Sequence, residues 1–382
     1  MMSVFNSLID QPQVVAILKE AVASANNTED LSQVMTNTWL FTGPAGSGRS
    51  NAAIAFAAAL VCKDGGCSKC QDCLSTILGT HADVELIKTH GLTIKIDEIR
   101  ELISRASWAP SVAKFRVVVI EDADRLTESA ANALLKVIEE PGLATIWLLC
   151  APTLTDVLPT IRSRCRHLAL RTPSTKAITN LLVERDQIDS KTAQFVARAS
   201  GGHIGRARRL ATDSNARQSR EKILKLPLTI KDVSSAYKAA QFLVDSAKAE
   251  AVADAEIKNE DEILKLKEAW GSTGSKMVTG GSKALKELEK EQKSRSTRMV
   301  RDYLDRALLD LATLYRDIML VQSGSNDSLI NQDLVEQINQ LAASTSQAKT
   351  LDKIEAILKT RRNLAQNAAP LLLIEALMCE LR

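Results

Sequence analysis

The chain has 382 residues, which is enough for two or three domains of ordinary size. Apolar residues make up 45% and charged residues 25%, a composition that allows ordinary globular cores. The net charge of +3 gives no overall nucleic-acid footprint, and 3% aromatic residues leave few platforms for base stacking. The sequence shows neither a signal-peptide pattern nor an apolar run of about 20 residues, so we expect a cytoplasmic protein without membrane spans.

Strand and helix patterns alternate over the first part of the chain. The predicted strands span residues 38–43, 83–88, 115–122 and 145–152, and the predicted helices span 13–25, 50–62 and 127–140. Thr127 is a suitable N-cap for the last of these helices. The alternation continues to about residue 170 and predicts an α/β domain built on a parallel sheet.

The segment "GPAGSGRS" connects the first predicted strand to the following helix. It has the spacing of a phosphate-binding loop, G-x-x-x-x-G-K-[ST], through Gly43, Gly48 and Ser50, with Gly46 inside the loop, but Arg49 stands at the lysine position. Backbone N–H groups of such a loop favour phosphate oxygens, and Ser50 would hold Mg²⁺. A guanidinium does not simply replace an ammonium, so binding of ATP with Mg²⁺ stays open.

Two acidic residues follow the apolar run "VVVI". ATPases usually place Asp first, for Mg²⁺, and then Glu to orient the attacking water, whereas this chain has Glu121 followed by Asp122. Aspartate is one methylene shorter than glutamate, and positioning errors of about 1 Å can cost about 100-fold in rate. The alternative is a pair of exposed acids at a strand end.

Four cysteines are clustered within twelve residues in the pattern C-x₄-C-x₂-C-x₂-C: Cys62, Cys67, Cys70 and Cys73. Four thiolates at short spacing suit tetrahedral Zn²⁺ in a closed, structural site. Free thiols are the alternative. The four histidines show no ligand spacing, and we expect each to be solvated or hydrogen-bonded.

Strand patterns end near residue 171, and helical patterns continue to the C-terminus. Residues 175–212 predict short helices that are broken at "GGHIG". Residues 245–300 are rich in charge and include the glycine-rich "GSTGSKMVTGG". This segment predicts either a long solvated helical hairpin or a partly disordered insertion.

The segment "TIRSRCRHLAL" brings basic residues together near the end of the α/β domain. Arg162, Arg164, Arg166 and Arg171 belong to this group. A solvated basic face is one interpretation. The other is an arginine presented to the triphosphate of another subunit.

The glycine loop, the cysteine cluster, "VVVIEDADRLTESAANALLKVIEEP", "LPTIRSRC" and the C-terminal "NAAPLLLIEALMCEL" follow one another in a recognisable order. Together they resemble bacterial clamp-loader subunits of DNA polymerase III, strongly over residues 1–210 and less over the C-terminal third. The resemblance implies an AAA+ fold. It comprises an α/β domain with a P-loop-type parallel sheet at 1–170, which contains the zinc module at 62–73, a small helical lid domain at 171–225, and an all-α collar for oligomerisation at 226–382 with the charged insertion at about 245–300.

This family contains motor subunits, which hydrolyse ATP, and a stator subunit, which supplies the arginine of its "SRC" motif to the ATP of a neighbour. Four sites differ from the motor pattern: Arg49 in the loop, the reversed pair Glu121–Asp122, Ala151 after the fourth strand, and Gly205 in the lid, with Arg206 one step on. Arg164 in "SRC" is kept. The resemblance therefore implies a stator whose arginine finger, Arg164, acts in trans and which does not hydrolyse ATP itself.

The resemblance also implies partners. They are the motor subunits and the delta subunit in a hetero-pentamer, with the sliding clamp and primer-template DNA reached through the complex. Two alternatives remain: an ATP-hydrolysing motor of the gamma/tau type, and a stand-alone AAA+ regulator.

Overall fold

The computed structural model describes residues 3–26, 35–89, 91–140, 142, 144–269, 281–325, 329–366 and 368–382. Pro141 and residues 271–280, the main part of the glycine-rich stretch, lie outside this description. The chain divides into two compact units, residues 1–208 and 209–382. Within the described residues, no helix combines the length and apolar character needed to cross a membrane.

A parallel sheet forms the centre of the first unit. Its strands, within the described residues, are β1 (Thr38–Thr42), β2 (Val84–Ile87), β3 (Arg116–Ile120), β4 (Thr145–Ala151) and β5 (Arg166–Ala169), in the order β2-β3-β4-β1-β5. The helices of this unit are α1 (Pro12–Asn26), α2 (Arg49–Val61), α3 (Gln71–Leu78), α4 (Ile96–Ala106), α5 (Glu128–Glu139), α6 (Pro159–Arg162), α7 (Thr175–Glu184) and α8 (Ser190–Ala199), and α9 (Ile204–Thr212) contains the boundary with the second unit. The strands and helices predicted for residues 13–152 are confirmed.

Strand β5 was not predicted from the sequence. It lies inside the basic segment "TIRSRCRHLAL", whose arginines obscured a short alternation of buried and exposed positions. The backbone pairs Trp39 with Arg166 and Thr42 with Ala169, so β5 extends the sheet on the far side of β1.

The sheet is covered on both faces, as its continuous apolar strands indicate. Side chains alternate along β1, so Trp39 and Phe41 pack with α1 and α2, whereas Leu40 packs with α4 and α5. Because the strands are parallel, their carboxyl ends lie along one edge of the sheet. The loops that follow β1, β3, β4 and β5 therefore start at that common edge.

The second unit is helical, as predicted. It contains α10 (Ser214–Thr229), α11 (Val233–Ala269), α12 (Gly281–Gln322), α13 (Val335–Ser344), α14 (Gln347–Ala365) and α15 (Pro370–Glu380). Helices α11 and α12 run antiparallel, because Asp254 meets Tyr303 while Glu262 meets Arg295 at 2.5 Å. The sequence left two interpretations of residues 245–300, a helical hairpin or a partly disordered insertion. The described parts of this segment form the helical hairpin.

A buried polar network connects α10 and α12 to the segment before α13. The Arg220 guanidinium donates to Asp310 at 3.0 Å and also to the side-chain oxygen of Asn331. The Asn331 amide group donates to Asp317 at 2.8 Å, and the Asp317 side chain is fully buried. Since the charges in this network are paired and hydrogen-bonded, their burial fixes the relative positions of these segments.

Asp83 fixes the loop that leads into β3. Its buried carboxylate accepts the backbone N–H groups of Ser111, Val112 and Ala113 at 2.6, 2.8 and 2.8 Å. Burial by itself would raise the pKa of Asp83, but these three donors hold it below its usual value. The folded state therefore favours the charged carboxylate.

We expect Asp83→Asn to lower the free energy of unfolding by about 3 kcal/mol at pH 7. The asparagine amide carries no charge, and its NH₂ group would face backbone N–H groups that need an acceptor. A depressed pKa stabilises the fold above the unfolded value, about 3.9, and that stabilisation is lost as the pH falls through the lower folded value. The wild type and the variant should therefore converge in acid. Urea unfolding across this pH range measures the difference.

The matched control for Asp83→Asn is Glu20→Gln, which removes one negative charge from an exposed position of α1. Its effect should stay within about 0.5 kcal/mol. An equal effect of both variants would mean that Asp83 contributes only net charge.

Candidate functional site: a phosphate-type loop, an outward arginine and a cysteine cluster

The glycine loop lies between β1 and α2 at the carboxyl edge of the sheet. The Gly43 N–H donates to the Pro152 carbonyl at 3.1 Å, which ties the loop to the end of β4. Gly46 and Gly48 have φ angles of 86° and 89°, which glycine adopts without strain. Gly48 is the N-cap of α2, so the helix begins at Arg49 and its first N–H groups face the loop.

Arg49 is bound to its own loop. Its Nη1 donates to the Gly43 carbonyl at 2.6 Å, while the Cys150 thiol donates to the Arg49 carbonyl at 3.8 Å. The cation at the lysine position is thus engaged by a backbone oxygen at the other end of the same loop. Ser50 is the second residue of α2, where the sequence predicts it.

The acidic pair lies at the end of β3, near the loop. The Glu121 carboxylate is paired with Lys88 at 3.1 Å, and Asp122 precedes a short 3-10 helix. Burial raises the pKa of the next acid, Asp124, and the nearby Asp122 carboxylate raises it further, while Arg49 opposes the rise. Arg49, Glu121 and Asp122 therefore lie near one another, since the charges of all three act on Cys150; that they form a nucleotide site stays a prediction. The lysine partner of Glu121 was not predicted.

His203 packs against the glycine loop. A Cβ atom on Gly46 would lie 2.5 Å from the Cα of His203 and 2.6 Å from its Cγ. The His203 ring nitrogen Nδ1 accepts the Arg206 N–H at 3.2 Å, which caps the start of α9. The sequence assigns no particular role to this histidine, and the "GGHIG" break is its only signal. The contact places a helical-segment residue directly over the loop.

Gln11 joins the loop to the end of the sheet. Its Nε2 donates to the Arg171 carbonyl at 2.6 Å and to the Ser47 carbonyl at 3.4 Å. Gln11 lies just before α1, in a segment for which the sequence indicates no site. The glycine loop is therefore held from β4, from the N-terminal segment and from its own arginine.

The "SRC" triplet follows α6. The Ser163 hydroxyl donates to the Thr160 carbonyl at 3.0 Å, and the partly buried Cys165 thiol donates to Ile161 at 3.1 Å. Burial raises the pKa of Cys165 to about 12, so it remains a thiol at neutral pH. Ser163 and Cys165 therefore anchor the turn on either side of Arg164. The Arg164 side chain between them is 41% exposed.

Arg166 does not fit the expectation of a surface charge. It is part of β5 and only partly exposed, and its guanidinium lies 4.8 Å from the centre of the Trp39 ring. A cation above an aromatic face is stabilised by the ring quadrupole. The stacking and the strand position explain this residue, and Arg162, at the end of α6, remains the better comparison for Arg164.

The four clustered cysteines come together before and at the start of α3. Their sulfur atoms all lie within 4.8 Å of one another, with Cys62–Cys67 at 3.8 Å and Cys62–Cys70 at 3.6 Å. Tetrahedral coordination at about 2.3 Å requires sulfur atoms about 3.8 Å apart. The Cys73 N–H donates to the Cys70 sulfur at 3.4 Å. The donor set fits a tetrahedral metal ion such as Zn²⁺.

Solved structures with a similar chain path include a gamma-subunit-related protein of DNA polymerase III from Thermotoga maritima. It shows 16% identity and a TM-score of 0.35, over 77% of this chain and 99% of the other. The RuvB Holliday junction branch migration motor from the same organism shows 17% identity and a TM-score of 0.38, over 62% of this chain and 71% of the other. These TM-scores are too low to support an inference.

Curated relatives are named as subunits of DNA polymerase III. The delta' subunit of Bacillus subtilis is 27% identical over 360 residues, which cover 94% of this chain and 92% of the relative. The delta' subunit of Pseudomonas aeruginosa is 34% identical over 147 residues, 37% of this chain and 45% of the relative. The gamma/tau subunit of Mycobacterium bovis is 30% identical over 211 residues, 52% of this chain but only 35% of that longer protein.

Two family models match the chain, one in each compact unit. The model described as "DNA polymerase III, delta subunit" matches residues 13–174, and "DNA polymerase III, delta subunit, C terminal" matches residues 282–382. Together they match more than half of the chain, and the Bacillus subtilis relative aligns over almost its whole length. The chain belongs to the delta-prime family of DNA polymerase III clamp-loader subunits.

Proposed function

We propose that this chain is the stator of a clamp loader: it supplies Arg164 to the ATP site of a neighbouring motor subunit and does not hydrolyse ATP itself. The observation that carries this proposal is a contrast within one unit. Arg49 is partly buried and bound to Gly43 in its own loop, whereas Arg164, although paired with Glu139, keeps 41% of its side chain exposed on an anchored turn. The loop arginine is held by the chain itself, whereas Arg164 reaches the surface, where a partner can contact it.

The contacts of the nucleotide-type site support the absence of turnover. A lysine at position 49 would reach the β- and γ-phosphates, but the guanidinium is engaged with Gly43. Glu121, at the position that usually binds Mg²⁺, is paired with Lys88. Hydrolysis would require both contacts to be exchanged.

The anchored turn supports the role of Arg164. An arginine finger stabilises charge that develops on the transferred phosphoryl group of a neighbour, so it needs a rigid base and an exposed guanidinium. Ser163 and Cys165 supply the base through their contacts with the carbonyls of Thr160 and Ile161.

We further propose that the second unit is the collar that assembles the hetero-pentamer with the motor and delta subunits. In this unit the buried Arg220–Asp310 pair joins α10 to α12, and α11 packs antiparallel to α12. The sliding clamp and primer-template DNA are then reached through that complex. In this scheme the collar holds the ring together and the first unit presents Arg164.

The four-cysteine cluster is proposed to hold one structural Zn²⁺ on Cys62, Cys67, Cys70 and Cys73. The ion would offset part of the thiolate charge and tie the segment between α2 and α3 to the α/β core, into which Cys62 and Cys73 are packed. All four ligand positions would be filled by sulfur, so the site has no open position for catalysis.

We expect one zinc ion per wild-type chain and less than one in Cys70→Ser, because three thiolates cannot complete the site. Loss of the ion should lower the melting temperature by about 5–10 °C, the shift that a loss of a few kcal/mol produces in a domain of this size. Elemental analysis and thermal unfolding with and without a chelator measure both effects.

Cys379→Ser, which changes a cysteine of α15 outside the cluster, is the matched control and should keep the zinc. Carefully reduced wild-type protein that contained no metal would contradict the zinc proposal.

Arg164→Ala should lower ATP turnover at the neighbouring motor site by about 10³–10⁵-fold, as the loss of an arginine finger does elsewhere. Clamp loading should fall with it, while zinc content and assembly of the complex stay intact. Arg164→Lys should restore little, because an ammonium lacks the planar fork. DNA-stimulated ATP hydrolysis and clamp loading by the reconstituted complex are the measurements.

Arg162→Ala is the control for Arg164→Ala, since Arg162 lies two residues away at the end of α6. Its effect should be small. Normal clamp loading by the Arg164→Ala complex would remove the main chemical support for the stator function.

A further inference from the structure

Arg164 is paired with a carboxylate from a different helix. Its Nη2 lies 2.7 Å from the Oε1 of Glu139, the last residue of α5. Its Nη1 donates to the Thr160 carbonyl at 2.9 Å and to the Ser163 hydroxyl at 3.3 Å. Three oxygen atoms from two segments of the chain therefore surround one guanidinium.

The contacts on Nη1 and on Nη2 have different consequences. Thr160 and Ser163 belong to the same turn as Arg164, so they move with it and define only how the side chain leaves the turn. Glu139 lies on α5, which packs against the sheet through Leu134 and Ile138. It is therefore the contact that ties the guanidinium to a second element of the α/β core, in addition to the turn that carries it.

The position of Glu139 is not explained by the stability of its own helix. A carboxylate in the last turn faces the negative end of the helix dipole, which disfavours it. A cation close to that end is favoured, and Arg164 provides one. The helix end, the carboxylate and the guanidinium thus form one electrostatic unit.

The strength of the pair suits a device that orients the arginine and still releases it. The Arg164 side chain is 41% exposed and that of Glu139 is 46% exposed. Ion pairs this exposed are weak, so this pair biases the rotamers of a long side chain without locking it. The triphosphate of a neighbouring subunit carries more negative charge. It can then share the guanidinium with the Glu139 carboxylate or replace that carboxylate.

We propose that Glu139 is the positioning residue of the arginine finger: it holds the Arg164 guanidinium in one orientation before the ATP site of the neighbouring subunit reaches it. This inference rests on the function proposed above. Glu139 acts through Arg164 and does not itself touch the nucleotide. Its removal leaves the finger present but less often correctly oriented.

The test is DNA-stimulated ATP hydrolysis by the reconstituted complex. Glu139→Ala should lower kcat about two- to five-fold, the range that corresponds to an ion pair of this exposure, with little change in KM for ATP. Glu139→Gln keeps an oxygen that can accept from Nη2 and should give an intermediate kcat. Glu140→Ala, the exposed neighbour of the same charge, should behave as the wild type.

The decisive control is the double variant Arg164→Ala with Glu139→Ala. If Glu139 acts through Arg164, the double variant should hydrolyse ATP no more slowly than Arg164→Ala alone. A further loss in the double variant would mean that Glu139 supports the fold or another contact, and a wild-type or faster rate for Glu139→Ala alone would show that it does not position the finger. Each of these results overturns the proposal.

These failures differ from a failure of the proposed function. If Arg164→Ala itself hydrolysed ATP and loaded clamps normally, the finger assignment would be wrong and the role of Glu139 would fall with it. If Arg164→Ala were defective and Glu139→Ala normal, the finger would stand and only its positioning by Glu139 would be overturned. Zinc content and the melting temperature, unchanged in all variants, show that each chain is folded.

Discussion

The parallel direction of the strands is the constraint on which the rest of the first unit depends. It brings the ends of β1, β3, β4 and β5 to one edge of the sheet, so the glycine loop, the Glu121–Asp122 pair and Pro152 meet there although they are far apart in sequence. Helix α2 starts at the same edge, and its first N–H groups face the loop. A sheet of this kind makes a nucleotide-type site whether or not the site is used.

At that edge the side chains of Arg49, Glu121 and His203 contact other groups of the same chain. Arg49 binds Gly43, Glu121 binds Lys88, and His203 lies over Gly46. The turn that carries Arg164 is different in its exposure, because it is anchored inside the unit while the Arg164 side chain, although paired with Glu139, stays 41% exposed. The proposed stator function rests on this difference.

The sequence predicted the α/β core well because long apolar runs, an N-cap threonine and the glycine loop are local signals. Strand β5 was missed because four residues with two basic side chains look like a charged surface, and the stacking of Arg166 on Trp39 depends on strand pairing. The residues of the glycine loop and the cysteines could be named from their spacing. The contacts of Lys88, His203 and Glu139 could not, since each joins segments separated in sequence and no local pattern encodes the pairing.

The stator account is tested by ATP turnover in a reconstituted clamp loader whose motor subunits all carry inactivated phosphate loops, so that the loop at residues 43–50 is the one left intact. The inward contacts of Arg49 and Glu121 predict hydrolysis no faster than the background without the complex, with or without primed DNA. Sustained turnover that disappears when Arg49→Ala is introduced would contradict the account, because it would show that this chain hydrolyses ATP at its own site.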